Sequence, residues 1–169
     1  HLVIAAGAWS HHLSEQLGDW CPLETERGYN TTLPNPGVSL NRMVTFAEDH
    51  FVATPMSAGL RIGGAVEFAG LEAPPNFARS KALLRLAAQY LPDLNVNGGN
   101  EWMGHRPSTP DSLPVIGCAS RHSNILYAFG HGHLGLTGSA TTGRLVAALL
   151  RGEEAGLDLT PFRIGRFSS

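Results

Sequence analysis

The chain has 169 residues, of which 43% are hydrophobic and 15% are charged. This length and composition suit a folded protein with a hydrophobic core and exclude a disordered segment. The 12 Lys and Arg residues nearly balance 14 Asp and Glu residues, for a formal net charge of -2. Because no basic run could neutralise successive phosphates or dock on an anionic bilayer, the sequence predicts neither nucleic-acid nor bulk membrane binding.

The first residues of the chain, its cysteines and its apolar stretches predict a missing upstream part, a reducing compartment and no transmembrane segment. Residues 2–6 predict a strand buried on both faces, and no signal-peptide pattern precedes them. Because a buried parallel strand needs neighbours, we expect an upstream part of the protein to be missing. Cys21 and Cys118 lack C-x-x-C spacing, which favours unpaired thiols in a reducing, cytoplasmic compartment. Apolar stretches fall far short of the roughly 20 residues that cross a bilayer, so no transmembrane segment is predicted.

The remaining elements are predicted from periodicity and turn residues, in chain order. A helix begins near Ser10 after the first strand. Short β-prone segments then predict an antiparallel or mixed sheet, at residues 29–33, 43–46, 50–54 and 60–67. Apolar residues at helical spacing predict a helix over residues 76–91, which Pro92 ends. Residues 102–117 contain three prolines and predict a long rigid loop. A buried strand over residues 124–129, a glycine-rich turn and a helix from near Thr137 to Arg151 follow.

The glycine-rich turn contains Gly130, Gly132, Gly135 and Gly138. Strand, glycine turn and helix form a geometry that can aim backbone N–H groups at a ligand with negative charge, although a flexible surface turn has the same composition. No Gly-Lys-Ser/Thr sequence marks a phosphate loop. His131 and His133 have no neighbouring cluster of Cys, His or carboxylate residues, so no metal site is predicted.

Arg106 is the second candidate site residue. Its planar guanidinium can bind a carboxylate through two hydrogen bonds, and the alternative is an ordinary solvated charge. Asp111 is expected to pair with an arginine or cap a turn. No Gly-x-Ser-x-Gly motif follows a strand, which argues against a hydrolase.

Three stretches taken in order resemble the flavin-dependent D-amino-acid dehydrogenase group. More distantly, they resemble D-amino-acid oxidase, glycine oxidase and sarcosine oxidase. The stretches are residues 3–10 (VIAAGAWS), 102–117 (WMGHRPSTPDSLPVIG) and 130–137 (GHGHLGLT). Each motif alone is ordinary, but their order and the Gly28-Tyr29 and 59–64 segments between them extend the resemblance over nearly the whole chain.

The resemblance implies an α+β fold with a mixed, largely antiparallel substrate-binding sheet, packed helices, and the C-terminal strand and helix of a split FAD-binding domain. It divides the chain into residues 1–20, the end of the FAD-binding domain, residues 21–106, the substrate-binding domain, and residues 107–169, which return to the flavin. By this likeness Arg106 binds the substrate carboxylate. The cofactor-binding residues are Gly7, Ala8, Gly132, His133, Leu134, Gly135, Leu136 and Thr137.

The implied parent is an FAD-dependent enzyme that oxidatively deaminates D-amino acids by hydride transfer, and no catalytic acid or base is named. The family's N-terminal G-x-G-x-x-G motif, which seats the FAD pyrophosphate, is absent, so we expect the chain alone to bind FAD poorly and to be inactive. Expected partners are a small amino-acid or amine substrate, the missing N-terminal half, and further copies of the fragment. If the electron acceptor is a quinone, peripheral membrane association is expected. The alternatives are a glycine- or sarcosine-type amine oxidase and a non-catalytic binding domain.

Overall fold

The structure, a computed structural model, describes residues 1–167, and its contacts divide the chain into two compact units. The first unit joins His1–Glu26 to the segment that begins at His105, and the second unit is Arg27–Gly104. The sequence placed its boundaries after residues 20 and 106 instead. By its contacts, Arg106 belongs to the same unit as the glycine-rich turn.

The described residues form eight β-strands and three α-helices. In chain order they are β1 (Leu2–Ile4), α1 (Ser10–Gln16), β2 (Glu24–Leu33), β3 (Val44–Phe46), β4 (Phe51–Met56), β5 (Gly59–Phe68), α2 (Ala78–Tyr90), β6 (Asn100–Ser108), β7 (Val115–Cys118), β8 (Ile125–Phe129) and α3 (Gly135–Leu150). Single turns of 3-10 helix are Gly7–Trp9, Gly132–Leu134, Thr160–Phe162 and Ile164–Phe167.

A three-stranded sheet with the order β1-β8-β7 forms the centre of the first unit. β1 pairs in parallel with β8, with Leu2 opposite Ile125, and β7 pairs antiparallel with β8. The predicted strand over residues 2–6, buried on both faces, was wrong in part: β1 ends at Ile4, and Leu2 is 52% exposed. Within the described residues β1 is an edge strand, and its neighbour β8 comes from later in the chain.

The second sheet has the order β3-β4-β5-β2-β6, and the pairs β3/β4 and β4/β5 are antiparallel. Within the second unit, Ala87 of α2 is fully buried in a cluster with Leu33, Phe51 and Ile62. This architecture, together with β8 and α3 at the C-terminal end, confirms the predicted α+β class.

The predicted long loop over residues 102–117 is wrong for its first half, because β6 extends to Ser108. Pro107 lacks an N–H donor, yet β6 lies at the end of the strand order, where one side of the strand needs no partner. Arg106 therefore lies on a strand, which fixes the direction of its side chain more firmly than a loop would.

Both cysteines are free thiols in the described structure. Cys21 is buried in the core of the first unit, and burial raises its pKa to about 11, whereas Cys118 is exposed. The Cys21 thiol therefore stays protonated and unreactive at neutral pH.

A buried carboxylate joins the end of α1 to the three-stranded sheet. Asp19 Oδ2 accepts hydrogen bonds from the Tyr127 hydroxyl at 2.8 Å and from the Ser120 backbone N–H at 2.9 Å. Burial alone would raise the pKa of Asp19, but the hydrogen bonds from Ser120 and Tyr127 together outweigh it and lower the pKa. Asp19 is therefore an ionised acceptor that fixes the Tyr127 ring inside the core.

Replacing Tyr127 with Phe should lower the free energy of unfolding by about 1–3 kcal/mol, because the buried Asp19 carboxylate loses a donor. The stabilisation from Asp19 is present in full above its unfolded-state pKa of about 4 and is lost as the pH falls through the lower folded-state value. Urea unfolding of both proteins at several pH values measures this. Tyr90→Phe, which removes an exposed hydroxyl bonded to Asp49, is the matched control. Equal losses for the two variants would contradict the prediction.

Candidate functional site

The turn after β8 contains a residue in the left-handed region of backbone conformation. Gly132 has a φ of +51°, which residues with a Cβ rarely adopt, and a Cβ there would lie 3.6 Å from Ser108 Oγ. Gly132–Leu134 form one turn of 3-10 helix, and α3 follows directly. The chain reversal therefore depends on glycine at 132 and places the turn beside Ser108 of β6.

The long helix starts earlier than the sequence predicted, at Gly135 rather than near Thr137. Gly135, Leu136 and Thr137 therefore form its first turn, and no side chain caps this end, since Leu134 precedes it. The first N–H groups of a helix have no intrahelical partner and carry a partial positive charge. This end of α3 is thus suited to a ligand that carries hydrogen-bond acceptors or negative charge.

His131 fastens the turn to α3. Its Nε2 lies 3.0 Å from Thr142 Oγ1, and burial lowers the pKa of the imidazole. The ring is therefore neutral at physiological pH and has a structural role in holding the turn.

Arg106 shares one face of β6 with Ser108, because side chains alternate along a strand. The adjacent His105 points to the opposite face, where its Nδ1 lies 3.0 Å from Thr25 Oγ1 of the neighbouring strand β2. By the same alternation Glu26 of β2 lies on the face of Arg106. Among residues 1–167, Arg106 Nη1 is a buried nitrogen atom with no hydrogen-bond partner.

The segment after β1 contains Gly7 and Ala8. Gly7 has a φ of +56°, and a Cβ there would meet no atom within 4 Å, whereas Ala8 is buried. Trp9 packs edge-on against the His105 ring, with centroids 5.3 Å apart. The residue next to Arg106 is thereby in contact with the segment that carries Gly7 and Ala8.

The two predicted cofactor-binding segments leave the same edge of the three-stranded sheet. β1 and β8 are parallel neighbours, so their carboxyl ends, which lead to Gly7 and to Gly130, lie at one edge. Open α/β sheets bind ligands outside the carboxyl ends of their strands. The binding roles of these two segments stay predictions.

Sequence reasoning missed Glu26. Its Oε2 lies 2.7 Å from Nε2 of His133, so it joins β2 to the glycine-rich turn. Strand β2 reads ETERGYNTTL, with polar residues on both alternating sets of positions, so its pattern did not single out Glu26. The partner of Glu26 is distant in sequence, and only the fold identifies it.

Asp111 has the structural role that the sequence favoured. Its Oδ2 pairs with Arg166 Nε at 2.7 Å, and its Oδ1 accepts a hydrogen bond from the Leu113 backbone N–H. The hydrogen bond from Arg166 is the main reason that the pKa of Asp111 lies below its usual range.

Within residues 1–167, no group of three or more His, Cys, Asp or Glu side chains is arranged to hold a metal ion. None of the helices described for this chain has the length and apolar character required to span a bilayer.

The family described as FAD dependent oxidoreductase matches residues 1–149 of the chain. A D-amino-acid oxidase of Bradyrhizobium diazoefficiens is 46% identical over 98% of this chain and 40% of its own length. A D-amino acid dehydrogenase of Paramagnetospirillum magneticum is 34% identical over 99% of this chain and 40% of its own length. The chain therefore spans about two fifths of the length of these curated relatives.

Solved structures agree with the fold. Glycine oxidase from Geobacillus kaustophilus superposes with a TM-score of 0.83 at 27% identity, covering 99% of this chain and 45% of that protein. L-proline dehydrogenase from P. horikoshii gives a TM-score of 0.80 at 24% identity, over 98% of this chain and 46% of that protein, and supports the fold alone.

Gly132→Ala should destabilise the first unit by about 1–2 kcal/mol, because a Cβ strains the left-handed conformation. Gly138→Ala is the matched control: this residue is inside α3, a Cβ there meets nothing within 4 Å, and alanine should stabilise the helix by about 0.5–1 kcal/mol. Denaturant unfolding of both variants measures the difference. If both substitutions changed stability in the same direction, the role of Gly132 in the turn would be wrong.

Proposed function

Because this chain belongs to the FAD dependent oxidoreductase family, we propose that the complete protein oxidatively deaminates D-amino acids. FAD, when bound, supplies the acceptor for the hydride that leaves the substrate α-carbon. The substrate becomes an imine, which water hydrolyses to an oxo acid and ammonia. The names of the D-amino-acid oxidase and D-amino acid dehydrogenase relatives support this substrate class.

The observation that carries the substrate assignment is the buried, unpartnered Nη1 of Arg106. A buried guanidinium nitrogen without an acceptor is costly, and a carboxylate is the group that best satisfies it. Arg106 therefore binds the α-carboxylate of the substrate. Because Arg106 lies on a strand, it also fixes where the α-carbon stands.

The residues present fit a flavin at the turn beside Arg106. The uncapped first turn of α3, at Gly135, Leu136 and Thr137, offers N–H groups and a partial positive charge. Reduction places negative charge on the pyrimidine edge of a flavin, where such donors are stabilising. Gly132, His133 and Leu134 lie along the same edge in this proposal. Gly7 and Ala8 contact the cofactor from the segment after β1, where open space adjoins Gly7.

The remaining cofactor contacts belong, in this proposal, to an N-terminal portion of the same protein. The chain spans 40% of the length of these curated relatives. An apolar groove between β1 and α1, which includes the exposed Leu2, Val3 and Leu13, is the surface that this portion covers. Exposed apolar surface of this kind drives association, so the isolated chain should self-associate.

A glycine-type amine oxidase is the second candidate, favoured by the TM-score of 0.83 to a glycine oxidase. The two functions differ in the substrate side chain that the complete protein accepts. Flavin bleaching by a panel of D-amino acids, glycine and sarcosine distinguishes them.

The isolated chain should be colourless after purification and form oligomers, because most of the FAD contacts and the cover of the β1 groove are missing. Absorbance near the flavin bands and light scattering measure the two properties. Co-expression with the N-terminal portion should give a yellow complex of defined size. A monomeric isolated chain with stoichiometric FAD would contradict this division of the cofactor site.

Arg106→Ala in the complete FAD-loaded protein should lower kcat/KM for a D-amino acid by roughly thirtyfold to several-thousandfold. This loss corresponds to about 2–5 kcal/mol of free energy. Arg106→Lys should restore only part of it, since an ammonium cannot form the paired hydrogen bonds of a guanidinium. An amine substrate without a carboxylate serves as the control and should be affected little. An equal loss for both substrates would mean that Arg106 only supports the fold.

A further inference from the structure

Glu26 and His133 form a carboxylate–imidazole pair in the first unit. Glu26 Oε2 lies 2.7 Å from His133 Nε2, and the side chains are 22% and 57% exposed. An ionised carboxylate only accepts hydrogen bonds, so Nε2 is the nitrogen that carries the proton. In the neutral ring this leaves the lone pair on Nδ1, to which nothing within residues 1–167 is hydrogen-bonded.

This pair lies on the same face of the β2–β6 strands as Arg106. The Thr25–His105 hydrogen bond fixes the opposite face, and alternation then places Glu26 and Arg106 together. Ser108, on the face of Arg106, contacts the position of Gly132, the residue before His133. His133 is therefore held on the side where the substrate carboxylate is proposed to bind.

The proposed reaction needs a proton acceptor there. An amino acid at neutral pH carries an ammonium group, whose nitrogen has no lone pair to form the carbon–nitrogen double bond of the imine. One proton must leave this nitrogen before or as the hydride leaves the α-carbon. If Arg106 binds the carboxylate, the ammonium group lies one carbon away, on the same side of the sheet.

We propose that His133 is a catalytic residue that accepts this proton at Nδ1, and that Glu26 holds the ring in the required tautomer. This proposal rests on the proposed function. The substrate N–H bond breaks, an Nδ1–H bond forms, and the resulting imidazolium is stabilised by the Glu26 carboxylate until the proton passes to water. No other co-reactant is consumed. A carboxylate that orients an imidazole and stabilises its charged form is an established arrangement for a general base.

The group that contacts His133 is consistent with this role. Glu26 of β2 is its ion-pair partner, and Arg106 lies on the same face of the β2–β6 strands. The other histidine of the turn, His131, is not suited to be the proton acceptor, because it is hydrogen-bonded to Thr142 and burial lowers its pKa.

The test uses the complete FAD-loaded protein and a D-amino acid that reduces its flavin. His133→Ala should lower kcat/KM by about 10²–10⁴-fold, the usual contribution of a general base. Added imidazole should restore part of the rate in proportion to its unprotonated concentration. The variant should also gain activity as the pH rises toward the range where the substrate ammonium loses its proton unaided. His122→Asn, at an exposed position between β7 and β8, is the control and should behave as wild type.

Glu26→Gln covers the case in which His133→Ala fails to fold or loses FAD. The amide oxygen still accepts the Nε2 proton, so the turn keeps its contact, but the charge that stabilises the imidazolium is gone. A loss of about tenfold or more with unchanged FAD content is expected. Wild-type rates in either FAD-loaded variant, or a loss in His133→Ala that neither imidazole nor pH changes, would overturn the proposal for His133 alone. If the wild-type flavin is reduced by no amino acid, the proposed function fails as well.

Discussion

The parallel pairing of β1 with β8 is the contact on which the first unit depends. β1 has three residues and could not persist alone, but its register with Ile125, Leu126 and Tyr127 joins the start of the chain to its last third. Asp19 strengthens the same connection, because its buried carboxylate binds the Tyr127 hydroxyl. Closing so long a loop costs little more entropy than closing a shorter one. A few buried contacts are therefore sufficient to hold β1 beside β8.

The position of the candidate site follows from this pairing. Since the two strands are parallel, the segments that leave them, one with Gly7 and one with Gly132, begin at the same edge of the sheet. Strand β6 contributes Arg106 to the same unit, and its neighbours His105 and Ser108 contact Trp9 and the turn. Strands thus hold the polar side chains, while glycines supply the backbone reversals that place N–H groups nearby.

Within residues 1–167, Arg106 Nη1 is buried and has no hydrogen-bond partner. Glu26, the acid on its face, is paired with His133 instead. A buried guanidinium nitrogen without an acceptor costs about 1–3 kcal/mol, and a bound carboxylate removes that cost. Under the proposed function, the substrate carboxylate supplies this acceptor.

Local periodicity, turn residues and short motifs were sufficient to predict the α+β class, most strands and helices, the family, and Arg106 and the glycine turn as candidates. The sequence failed at β6, where prolines suggested a loop, since only the strand order places Pro107 on an edge that tolerates it. The sequence also did not identify β8 as the strand that pairs with β1. The contact of Glu26 with His133 could be found only in the folded chain, because it joins β2 to the turn after β8, which is distant in sequence.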